Sequence, residues 1–119
     1  MKTIAARVIA TTTTLGLLAT TALADPVGRY SVEGTGPAGE VYRGTATIDA
    51  TGETYRVTWV IGGQKWVGTA VGNGDFFAVS YRYGNTTGVG VYAKEGDGWK
   101  GVWALAGGTR VGAELMTPR

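Results

Sequence analysis

Between residues 53 and 71, Tyr55, Val57, Trp59 and Ile61 alternate with Arg56, Thr58 and Val60. A period of two is the pattern of a strand with one buried and one wet face. Gly62 and Gly63 supply the positive backbone angles of a tight reversal. Trp66, Gly68 and Ala70 then return on the apolar face. This is a β-hairpin, and most of the chain after Ala24 follows the same grammar.

The alternation predicts further strands over 29–33, 40–50, 76–83, 87–94, 99–105 and 109–116. Tyr30 and Val32 face inward in the first, and Tyr42, Gly44, Ala46 and Ile48 in the second. Phe77, Val79, Tyr81 and Tyr83 follow, and later Trp99, Gly101, Trp103 and Leu105. Over 87–94, Val89, Val91 and Ala93 stand against an outward set of Gly88, Gly90 and Tyr92. Over 109–116, Val111, Ala113 and Leu115 share a side. Turn signals separate the segments, Asn73-Gly74 being the strongest, and none has a helical period. The expected fold is all-β: a small antiparallel up-and-down meander of about eight short strands in a closed or nearly closed β-barrel. A two-sheet β-sandwich is the alternative. An aromatic-x-Gly repeat at Tyr42, Trp66 and Trp99 favours the barrel, since mid-strand glycine permits sharp coiling that a neighbouring ring can cover.

Residues 1–24 read as a signal peptide. Lys2 and Arg7 precede a mostly apolar run that closes on Ala22-Leu23-Ala24, a small-residue cleavage pattern. Four consecutive threonines from Thr11 make the run a poor bilayer span. The mature domain is then 25–119, exported to the periplasm or secreted. Without Lys2 and Arg7, nine basic residues balance nine acidic ones, scattered singly, so no nucleic-acid partner is expected. There is no cysteine, which excludes disulfides, a thiol nucleophile and a lipidated anchor. Twenty of the 21 glycines and all 12 aromatics follow Ala24, and aromatics interleaved with valine at strand spacing describe a folded, glycine-rich domain. Outward Arg29, Arg43, Arg56, Arg82 and Lys100, on strands of about seven or eight residues, argue against insertion into a membrane.

Histidine is absent as well, which removes most nucleophile–base pairs and the usual zinc and copper sites. Asp75, Glu95 and Asp97 fall in turns, and Glu33, Glu40 and Glu114 read as strand-end or outward residues. The run Glu95-Gly-Asp-Gly98 lacks the ligand series of a calcium loop. No cofactor, metal or catalytic constellation is expected, and the domain reads as a binding module. Two binding surfaces are candidates. Phe76, Tyr92, Val60, Val67 and Val71 on the nominally wet face suit a protein partner. Trp59, Trp66, Tyr81 and Trp103 on the inner face suit a small apolar or planar ligand inside the barrel.

Gly28, Tyr30, Val32 and Gly34 form a G-x-Y-x-V-x-G opening. It is followed by Tyr42-Arg-Gly44 through Ile48, and by Gly52 through Tyr55, Val57 and Trp59. Gly101-Val-Trp103 and Glu114 through Pro118 close the series. Together these resemble small exported proteobacterial proteins labelled "fibronectin-binding protein". The resemblance implies a protein partner such as fibronectin and carries over no individual binding residue.

Overall fold

The computed structural model describes residues 25–119; the expected leader lies outside the described residues. Eight strands follow one another: β1 (Gly28–Thr35), β2 (Val41–Thr51), β3 (Thr54–Ile61), β4 (Gln64–Gly72), β5 (Phe76–Tyr83), β6 (Thr86–Glu95), β7 (Gly98–Leu105) and β8 (Gly112–Pro118). Each pairs antiparallel with the next, and β8 pairs with β1. The result is one closed meander barrel, not two stacked sheets, and closure leaves no strand edge unpaired. β6, with 10 residues, is longer than the sequence pattern suggested.

The central hairpin forms as its residues dictate. Ile61 pairs with Gln64 across Gly62 and Gly63, whose φ angles of 57° and 80° need glycine's freedom. From that turn the register sets Trp59 opposite Trp66 and Val57 opposite Gly68. Directly paired residues share a face of the sheet, so one assignment propagates around the barrel.

That propagation corrects two strands. On β6, Tyr92 lies opposite Phe77 on one side and Gly101 on the other, so it points inward. It is 2% exposed, while Val89 and Val91 face solvent. Gly101 makes the inversion possible: a Cβ there would lie in the Tyr92 ring and 2.6 Å from the Val91 carbonyl oxygen. The ring stacks on Phe77 instead, with centroids 4.8 Å apart. The second correction is Glu114. β8 begins three residues later than the pattern suggested, with Gly112 opposite Trp103. Glu114 is thereby paired with Gly101 and Gly34 and directed into the lumen, where it is 5% exposed.

The two ends of the barrel differ. The end carrying the β2–β3, β4–β5 and β6–β7 turns is filled by Ile48, Val57, Phe77, Trp99 and Met116, with Pro26 buried among them. Polar atoms there are matched: Tyr30 donates to the Pro26 carbonyl at 2.8 Å, and Trp99 Nε1 donates to Tyr30 Oη at 3.3 Å. The other end is hollow.

Candidate functional site

The hollow end is a cavity of about 270 Å³. Its walls come from the strand ends at this side of the barrel. Tyr42 opens β2, Trp59 and Ile61 close β3, Trp66 opens β4, Tyr81 closes β5, and Trp103 closes β7. Trp59, Trp66, Tyr81 and Trp103, the four interior residues singled out by the sequence pattern, all line it. Tyr42, Tyr92, Glu40 and Glu114 line it as well.

Glycines opposite the rings create the space. A Cβ on Gly88 would come within 2.6 Å of the Tyr81 ring, and one on Gly112 within 2.5 Å of Trp103. The rings therefore lie flat along the wall, over strand positions that have no side chain. They also hold one another. Trp59 and Tyr81 meet edge to face at 5.3 Å, Trp66 and Tyr81 at 5.9 Å, and Tyr42 and Trp103 at 6.0 Å. Such pairs are worth about 0.5–1.5 kcal/mol beyond area burial, so the lining is preorganised.

At the floor sits Glu114. Its Oε1 accepts from Tyr42 Oη at 2.7 Å, and its Oε2 accepts from Trp59 Nε1 and Tyr92 Oη, each at 2.9 Å. One carboxylate thus ties β2, β3, β6 and β8 together. Burial pushes its carboxyl above the ordinary value, and the hydrogen bonds from Tyr42, Trp59 and Tyr92 only partly oppose that rise. The same burial, followed by the Glu114 charge, pushes the Tyr81 hydroxyl up to about 12 and raises those of Tyr42 and Tyr92. The phenols are protonated donors at neutral pH.

Two lining donors have no good partner. Tyr81 Oη and Trp103 Nε1 are buried without a well-formed hydrogen bond, Trp103 Nε1 having the Tyr42 hydroxyl as a neighbour that it meets outside good geometry. A buried polar atom left unpaired costs on the order of 1–3 kcal/mol, and native structures keep such atoms few.

The expected outer-face residues do not come together. Tyr92 is inside. Phe76 is exposed at the closed end of β5, and Val60 and Val67 are exposed on β3 and β4. Of the expected set only Val71 joins the apolar outer surface, the rung Val71, Ala78, Val91, Val102 and Ala113, paired in sequence across β4 to β8. Sequence periodicity missed Glu114 and Tyr92 as lining residues. The signal that could have found them is the set of large inward residues on neighbouring β5 and β7.

No protein-family model matches the chain, and no curated protein matches it. Among solved structures it is similar to a redesigned β barrel, mFAP1, determined bound to DFHBI. The TM-score is 0.63 at 16% identity, over 79% of this chain and 94% of that one. At that identity the similarity establishes the barrel fold.

Proposed function

We propose that the domain binds a small, flat, largely apolar molecule in the open end of its barrel, and that it binds without catalysing. One observation carries this reading: two unpaired buried donors, Tyr81 Oη and Trp103 Nε1, on the wall of an aromatic cavity of about 270 Å³. A ligand with an acceptor atom would satisfy them, while its flat body would bury apolar surface against Trp59 and Trp66. The ligand-bound state of the similar redesigned barrel supports the reading, because that protein holds DFHBI on the same architecture. Export to the periplasm or beyond, inferred from residues 1–24, belongs to the same proposal.

The test is calorimetric titration of the purified protein with a panel of bicyclic aromatic ketones and lactams. Saturable binding should weaken about three- to tenfold in Trp103→Phe and Tyr81→Phe, the equivalent of one lost hydrogen bond each. Failure of a folded protein to bind any member of the panel would overturn the reading. The exposed valine rung supports a second reading, a protein partner such as fibronectin docked on the outer face of β4 to β8. Surface-immobilised fibronectin capturing wild type but not Val91→Lys would favour it.

A further inference from the structure

Resting on the pocket reading, we infer that the cavity selects organic cations: flat aromatic or quaternary molecules carrying one positive charge. Three observations on the same site lead there. The lining holds two carboxylates, Glu114 at the floor and Glu40 at the mouth, and no lysine or arginine. Glu114 receives hydrogen bonds only from neutral donors, Tyr42, Trp59 and Tyr92. Among the described residues the ion pair present is Glu33–Arg43, on the solvent side of β1 and β2. The buried carboxylate therefore has no protein counter-charge, a costly arrangement that a bound cation would relieve.

The geometry leaves room for it. A carboxylate offers about four lone-pair sites; Oε2 uses two, for Trp59 and Tyr92, and Oε1 uses one, for Tyr42. The fourth is on Oε1. The cavity beyond it is lined by Tyr42, Trp59, Trp66, Tyr81 and Trp103, and aromatic rings attract cations that reach their faces through their quadrupoles. Carboxylate and rings thus favour the same charge. A purely structural Glu114, acting as a hydrogen-bond hub, would need acceptor atoms but would be indifferent to ligand charge. That difference is measurable.

The experiment compares three probes of nearly equal shape by calorimetry at pH 8: N-methylquinolinium, 1-methylnaphthalene and 1-naphthoate. Wild type should bind the cation about tenfold more tightly than the hydrocarbon, through the Glu114 charge and the rings together, and should reject the anion. In Glu114→Gln that preference should fall to about twofold or less by loss of the charge. If the hydrocarbon binds wild type as well as the cation does, charge selection is overturned and the pocket reading stands. If none of the three binds while the ketones and lactams do, charge selection is overturned and the pocket reading stands. If those fail as well, the pocket reading falls too. Should Glu114→Gln fail to fold, wild type supplies the test. Of the ionisable groups facing the cavity, Tyr42, Tyr81 and Tyr92 stay neutral in acid, and the others are the carboxyl groups of Glu114 and Glu40. Cation affinity should fall from pH 8 to pH 5 while hydrocarbon affinity holds, and Glu40→Gln should keep most of that fall. A pH-independent ratio overturns the inference.

Discussion

Replacing Glu114 by Gln should change how stability depends on pH, and the sign of the change follows from the site. Glu114 is buried, and burial raises its carboxyl above the ordinary 4.5 despite three hydrogen bonds that favour the charge. Between the ordinary and the raised value, the folded protein holds a proton that the unfolded chain has released. Stability then falls as pH rises through that window. The contribution of Glu114 is complete below the unfolded value and is lost as pH climbs through the folded one. Each pH unit of separation is worth ~1.36 kcal/mol, or roughly 5–10 °C in Tm for a domain of this size. Gln is nearly isosteric and does not titrate. The remaining carboxylates are common to both proteins, so the difference between the two stability curves isolates Glu114. Urea unfolding followed by tryptophan fluorescence from pH 8 to pH 4 measures it. Wild type should gain on Glu114→Gln as the solution is acidified and level off below the ordinary carboxyl value. If wild type instead loses ground to the variant on acidification, the three donors outweigh burial and the account of the site is wrong.

Other substitutions probe the frame around the cavity. Gly101→Ala places a methyl against the Tyr92 ring and 2.6 Å from the Val91 carbonyl oxygen, and should cost about 1–3 kcal/mol in urea unfolding. Gly90→Ala, whose nearest neighbour is the Tyr92 ring at 3.1 Å, should cost clearly less in the same assay. Trp99→Ala empties the plugged end of a fully buried side chain and should destabilise by about 3–5 kcal/mol, seen as a lower thermal midpoint. Arg43→Ala breaks the Glu33 pair, but both side chains are more than half exposed, so its urea midpoint should shift by less than about 1 kcal/mol equivalent.

The barrel was legible because most strands carry large apolar residues on one face and charges on the other. Tyr55, Val57 and Trp59 against Arg56 and Thr58 leave no doubt about which side is inside. On β6 that contrast fails. Its outward residues are Val89, Val91 and Ala93, and its inward ones begin with two glycines, so hydropathy points the wrong way. What decides the face is the neighbours: Phe77 on β5 and Trp103 on β7 are inside, and the residues paired with them, Tyr92 and Gly90, must follow. Glu114 was hidden for the same reason. An isolated glutamate in a short terminal strand reads as solvent-facing until the Trp103–Gly112 pairing fixes its parity. The sequence pattern had already placed glycine inward beside rings on β2, β4 and β7. Extended to β6 and β8, that rule would have turned both strands the right way.

Both ends of the lumen are rich in aromatic residues, so ring count does not explain why one is solid and the other hollow. The difference lies in polar satisfaction. At the plugged end, Tyr30 donates to Pro26 and receives from Trp99, and the rings above them close on Met116 and Ile48. Nothing there calls for a further partner. At the open end, Tyr81 and Trp103 hold donors without a well-formed hydrogen bond, and Glu114 is buried with only neutral donors against it. A fold without disulfides, held by its core, would gain stability by replacing such groups with apolar residues of similar volume. Their cost is therefore concentrated where the barrel opens, on a rigid closed frame, and a ligand that meets donor and carboxylate together would recover it on binding.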